Sequence, residues 1–183
     1  MDGFSPIIRT LEYGRWTDDD GKSYLFSATL RDESHDYGRG VRSVDVKLLH
    51  EITSPQQSDI TESTVNKKSK QTEEIGYLTG YVIERPSCDF FDTADAISAE
   101  LQGISTYFCE SNGKATRCKH PKLQEQSPMA VRGGGLFNIE LVEIKPGYQG
   151  KDFGLRLIHE AFFFLGHEWT LAVLMVGESN FPK

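Results

Sequence analysis

The chain has 183 residues, 38% of them hydrophobic and 26% charged, which fits one globular domain with a sizeable core and favours a globular over a disordered chain. Its formal charge of −7, from 20 basic and 27 acidic residues, disfavours nucleic acid or an anionic membrane as partner and mildly favours a cationic one such as an amine. No stretch reaches the apolar length of a membrane helix, and the opening MDGFSP has neither a basic n-region nor an apolar h-region, so no membrane span and no signal peptide are expected. Cys88, Cys109 and Cys118 do not make a disulfide framework, which points to a reducing intracellular setting, cytoplasmic or nuclear.

Residues 1–22 are polar and rich in Gly and Asp, with a turn at TDDDGK. Ser23–Arg31 alternates as a strand does, DESHDYGRG is a loop, and Val41–Glu51 has strand composition. Residues 53–74 are almost free of large apolar side chains and cannot bury enough to offset their ordering entropy. A flexible insertion at a hairpin tip is expected there. Glu74–Arg85 is a second strong strand, stopped by Pro86. DTADAISAEL reads as a helix, with Asp92 or Thr93 as N-cap and Ile97 and Leu101 one turn apart. Residues 110–130 are loop-like, and Gly133, Gly134 and Gly135 form a hinge or turn.

The C-terminal part carries the most information. Leu136–Ile144 is a strand that Pro146 and Gly147 terminate. A helix follows over Leu155–Leu165, with Leu155, Ile158, Phe162 and Leu165 along one face and Gly166 as its cap. Thr170–Val176 is an uninterrupted apolar run that suits a strand buried on both sides. Between strand and helix, Gly150 and Gly154 bracket Lys151, Asp152 and Phe153. The first turn of a helix has unpaired N–H groups and the positive end of the macrodipole, and a loop feeding it can wrap amides around a phosphate. Gly154 stands where a side chain would block such an anion, and Lys151 and Gln149 add charge or hydrogen bonding. A Walker A loop is excluded because Asp152 follows Gly150-Lys151, and no GxGxxG follows a strand.

The string IKPGYQGKDFGLRLI, residues 144–158, resembles motif A of the GNAT acyltransferase superfamily without a gap. Ile144, Pro146, Tyr148, Gln149, Gly150, Gly154, Leu157 and Ile158 fall on the expected positions. Asp152 replaces the usual central glycine and Leu155 a common Ser or Thr. The resemblance spans residues 136–176. It implies a single GNAT-like α/β (α+β) domain over 1–183, with a mixed, mostly antiparallel sheet flanked by helices and the strands at 41–51 and 75–85 as antiparallel partners of 136–144. The chain has no room for the family's further helix and last two strands after the fifth strand. A shortened variant, a longer gene, or strands supplied by a partner in a homo-oligomer would each account for that.

The resemblance further implies acetyl-CoA as co-substrate. Its pantetheine arm would pair with backbone near Val142 and Ile144. Its pyrophosphate would take the amides of Gln149, Gly150, Lys151, Asp152, Phe153 and Gly154. An amine-bearing acceptor, small molecule or protein, would attack the thioester directly, with a strand N–H polarising the carbonyl and a carboxylate removing the proton. Glu143 and Glu140 are the candidates for that base. They have opposite parity, and Glu143 is preferred for its nearness to the loop. A non-catalytic acyl-CoA-binding or interaction module is the alternative reading. Cys109, Cys118 and His120 lack paired zinc-site spacing, so no metal is expected. His159 and His167 read as partly buried, hydrogen-bonded side chains and Phe162–Phe164 as core. Acids at 92, 95 and 100 could select an amine or simply solvate a helix.

Overall fold

Among the described residues six strands hydrogen-bond in chain order into one sheet, β1-β2-β3-β4-β5-β6. They are β1 (Ile7–Thr17), β2 (Ser23–Asp32), β3 (Val41–Ile52), β4 (Gln71–Glu84), β5 (Gly135–Ile144) and β6 (Leu171–Leu174). The helices are α1 (Ser34–Tyr37), α2 (Phe90–Ile97), α3 (Ala99–Ser105) and α4 (Phe153–Leu165). The computed structural model describes residues 6–52, 71–85, 89–108 and 134–174, with Lys122 and Glu125. The first four strand pairs are antiparallel and only β5 and β6 run parallel, joined through α4. The mixed, mostly antiparallel sheet flanked by helices is therefore as expected.

The alternation of the central strands builds two cores. Val44, Val46 and Leu48 face α4 with Leu78, Val82, Phe137 and Ile139, and there meet Phe153, Leu157, Ala161 and Phe164. Val41, Ile83 and Leu136 point the other way, onto Phe90, Ala94 and Leu101 of α2 and α3. The TDDDGK turn closes as read. Asp18 accepts from Lys22 N at 2.8 Å and from the Tyr24 hydroxyl at 2.9 Å. Burial, and then the hydrogen bond to Asp18, push the Tyr24 phenol from 10.0 up to about 12. A raised folded-state value means the contact stabilises fully below pH 10.0 and fades as pH rises through about 12. Phenol titration should show one late-ionising group fewer in Tyr24→Phe than in the wild type.

Several expectations need correction. Residues 7–17 form a full strand, which the polar reading of 1–22 missed. As an edge strand β1 buries little, and Gly14 at φ +68° sits inside one of its register shifts, so no clean apolar period survives. Among the described residues the sheet thus has one strand more than expected. The hairpin closes at Ile52↔Gln71, so 71–74 belong to β4, held by the Lys47–Glu74 and Lys145–Glu73 ion pairs; residues 53–70 lie outside the described residues. The helix expected over 92–101 starts at Phe90 after Asp89 and breaks at Ser98. Extended Ser98 accepts from Leu101 N at 3.1 Å and so caps a second helix. DESHDYGRG contains the short helix α1. Gly134 has φ +96°, which suits the expected turn, while Gly135 already belongs to β5. The other loop, 110–130, lies outside the described residues but for Lys122 and Glu125.

β6 is not buried on both sides. Ala172 joins one core and Leu171 and Val173 the other, yet among the described residues the strand stands at the sheet's edge and Leu174 is 45% exposed. On α4 the stripe that meets the sheet is 153/157/161/164, not 155/158/162/165. Leu155 is 67% exposed, Ile158 is half-buried, and only Leu165 of the expected stripe is buried. Phe164 is buried and Phe162 stacks on Trp169 at 4.5 Å, but Phe163 is exposed. His159 and His167 are exposed, His159 beside Glu160, so neither is the partly buried histidine expected.

Candidate functional site

β5 changes character halfway along. Gly80 pairs with Ile139 and Thr79 with Leu141, which leaves Glu140 as a bulged residue. The bulge resets the alternation. Phe137 and Ile139 face α4 before it, and Val142 and Ile144 after it. Parity therefore does not separate Glu140 from Glu143 as the plain alternation implied. Pairing of β5 with β6 runs only from Leu136↔Leu171 to Ile139↔Leu174. Beyond Ile139, among the described residues, β5 has no neighbour on its α4-connected side.

Gly80 permits this geometry. A Cβ there would lie 2.3 Å from the carbonyl oxygen of Asn138, and backbone cannot give way cheaply. Gly80→Ala is expected to lower stability by about 2–3 kcal/mol, the range for forced overpacking, in urea unfolding.

The opening beside β5 is a cleft of about 700 Å³. Glu140, Leu141, Val142 and Ile144 form its strand wall, Gln149, Gly150, Asp152, Phe153 and Gly154 its loop wall, and Leu155, Ile158, Tyr148 and Leu174 complete it. Every residue expected to bind the ligand lines it except Lys151, which is exposed outside it.

The loop is open, not collapsed. Pro146–Tyr148 make one 3-10 turn in which Tyr148 N donates to Lys145 O at 2.8 Å, and the Gln149 side chain donates to Ile144 O at 3.0 Å. From Gly150 to Leu155 the backbone N–H groups have no backbone acceptor among the described residues. The first helical bond that enters α4 is Arg156 N to Asp152 O, 3.0 Å. Backbone amides left unpaired at a helix N-terminus are able to take an anion.

Asp152 explains its own position. Its φ of 57° and ψ of 14° are left-handed, the region where glycine is free and Asp or Asn is the tolerated exception. Its carboxylate makes no cap hydrogen bond and is exposed. Asp152→Ala is expected to cost about 1 kcal/mol by urea unfolding. Asp152→Gly should stay within about 0.5, because relief of strain offsets the added unfolded-state entropy.

The two candidate carboxylates differ. Glu143 does not line the cleft. It accepts from the Tyr77 hydroxyl at 2.7 Å, and that bond raises the Tyr77 phenol above its usual value. Glu140 lines the cleft. Although much of its surface is exposed, protein atoms at the cleft mouth displace water and raise its carboxyl above the usual glutamate range. Its charge also bears on Tyr81, whose phenol burial pushes up strongly, with a Tyr37 hydrogen bond adding to it. Of the two candidates, Glu140 is the one that lines the cleft.

Residues far upstream hold the loop, and sequence reading did not single them out. Phe153 is buried against Trp16 at 5.6 Å and Tyr24 at 5.2 Å. Tyr24 stacks between Trp16 and His50. The Tyr148 hydroxyl lies 3.1 Å from His50 Nδ1 and 3.4 Å from Glu73 Oε2. Burial and the Glu73 charge raise the Tyr148 phenol, so it is a neutral donor. Arg156 lies over the Trp16 ring at 4.0 Å. Asp92, Asp95 and Glu100 are exposed on their helices; Cys88, Cys109, Cys118 and His120 lie outside the described residues.

Among the described residues no three His, Cys, Asp or Glu side chains group as a metal site, and no helix is long and apolar enough to cross a membrane. No family model, curated protein or solved structure matches the chain.

Proposed function

We propose that the cleft binds the pyrophosphate and pantetheine arm of an acyl-coenzyme A and that the protein is a GNAT-type N-acyltransferase acting on an amine. One observation carries this reading. The amides of Gly150 to Leu155 are unpaired by backbone at the start of α4, and the cleft they border runs along the stretch of β5 that β6 leaves unpaired. An anion suits the first feature. An extended, hydrogen-bonding arm suits the second, as an added strand suits any open edge.

In the ternary complex the amine attacks the thioester carbonyl. Glu140 removes the amine proton, directly or through a water, and a backbone N–H on the open edge of β5 steadies the oxyanion. The carbon–sulfur bond then breaks, and coenzyme A leaves as a thiolate that takes back a proton from the Glu140 carboxyl or from solvent. Val142, Ile144 and Ile158 line the walls beside the arm, and Phe153 fixes the floor.

The test is the thermal shift with millimolar acetyl-CoA, against simple nucleotides as competitors. The reading expects a rise that nucleotides reverse poorly, and no rise would sink it. A catalytically silent binding module is the second reading, favoured by the Asp152 carboxylate at the mouth of the anion site. Binding without turnover over a panel of amines would select it. Asp152→Asn keeps the left-handed tolerance and removes the charge, so coenzyme A should bind about three- to fivefold tighter, the scale of ~1 kcal/mol between charges a few ångströms apart in water.

A further inference from the structure

An anion loop with unsatisfied amides is unstable in its own right. From Gly150 to Leu155 its N–H groups have no backbone acceptor among the described residues to hold them. Two polar contacts that reach it from β3 and β4 converge on one side chain. Tyr148 lies within hydrogen-bond distance of His50 at the end of β3 and of Glu73 at the start of β4, residues that are direct register partners.

The protonation pattern follows from the partners. A carboxylate only accepts, so the phenol proton points to Glu73 and the phenol oxygen accepts from His50 Nδ1–H. Glu73 also takes the Lys145 ammonium at 3.3 Å, while Lys145 N donates to Ile75 O at 2.9 Å. The upstream end of the loop is thus tied to β4 twice, and its downstream end is fixed by Phe153 against Tyr24. The rings of Tyr148 and Phe153 stand 6.3 Å apart, so residues 149–152 bridge two anchors of fixed separation.

We propose that His50 and Glu73 are positioning residues that act through Tyr148 to keep the 149–152 loop open for a diphosphate, with no contact to the ligand themselves. The proposal deepens the anion-loop reading above and rests on it. Preorganisation of this kind shows in ligand affinity and in loop order more than in global stability, because Tyr148 is only half-buried.

The experiment uses the full chain with Tyr148→Phe, Glu73→Ala, Glu73→Gln and the Tyr148→Phe/Glu73→Ala double variant. Backbone order parameters of residues 149–152 are measured without ligand. Affinity is measured for coenzyme A and, as a separate arm, inorganic pyrophosphate. Order should fall from about 0.85 to below about 0.6 in Tyr148→Phe and Glu73→Ala, stay near wild type in Glu73→Gln, and leave the β2–β4 core unchanged. Binding should weaken about tenfold in each weakened single variant and no further in the double variant, since one chain of contacts is cut once. Unchanged loop order in Tyr148→Phe overturns the proposal, as do additive losses or lower order with unchanged affinity for both ligands. Wild-type protein that binds pyrophosphate but not coenzyme A would sink the acyl-carrier reading and leave the positioning role standing.

Discussion

Glu140→Gln is expected to lower kcat/KM for amine acylation by about 10²- to 10⁴-fold, the usual worth of a positioned general base. Glu143→Gln should change it less than about threefold, because Glu143 lies off the cleft and its carboxylate is engaged by Tyr77. The pH profile separates a base from a structural carboxylate. Desolvation holds the Glu140 carboxyl above the ordinary glutamate range. The acid limb of kcat/KM should therefore lie at higher pH than a free glutamate would place it, with the rate rising as pH rises through that value, and Glu140→Gln should abolish the limb.

The stability sign runs opposite to a salt-bridged acid. A raised folded-state value means folding disfavours the charged form, so at neutral pH the charge of Glu140 works mildly against the fold. Glu140→Gln should leave Tm unchanged or slightly higher. Loss of activity together with loss of Tm would point to a structural role and remove Glu140 from the mechanism. Equal effects of the two glutamine variants would do the same.

The second large effect is on binding. Gly154→Ala is expected to weaken coenzyme A at least about a hundredfold, ~2.7 kcal/mol, by placing a methyl group where the diphosphate approaches the helix mouth. The fold should tolerate it. A Cβ at Gly154 would meet Val142 Cγ1 at an ordinary 3.6 Å, φ is not left-handed, and alanine is the better helix former. Gly150→Ala makes the complementary pair. Nothing lies within 4 Å of its Cβ, but φ is +74°, so the cost should fall on stability, about 1 kcal/mol. Isothermal titration and urea unfolding on both variants give four numbers. If Gly154→Ala binds coenzyme A like wild type, the diphosphate does not sit at the start of α4 and the proposed function fails at its root.

How much was legible depended on what each residue's signal was local to. The loop was readable because a tight turn into a helix needs glycine at fixed offsets, and Gly150 does hold a left-handed φ. Asp152 seemed a departure in charge, whereas its backbone conformation is the reason glycine would suit that position. The central strands were readable because β2, β3 and β4 bury alternate side chains. β1 was not, because an edge strand need bury little and its registers slip near both ends. The apolar run of β6 suggested two covered faces, which its half-buried side chains do not have, because such a run cannot tell an edge from a centre when that depends on which strand pairs beside it.

By itself the sequence determined the sheet-and-helix class, the strand–loop–helix–strand order at 135–174 and the glycine-bearing turn into the helix, all of which follow from periods and turn residues within a dozen positions. Tertiary structure alone decided which glutamate enters the cleft and what holds the loop. The first depends on a bulge that Gly80 makes room for from the neighbouring strand, one residue of slip that swaps faces for all of β5 beyond it. The second depends on His50 and Glu73 meeting Tyr148 across 98 and 75 residues of chain, contacts that no local pattern can encode.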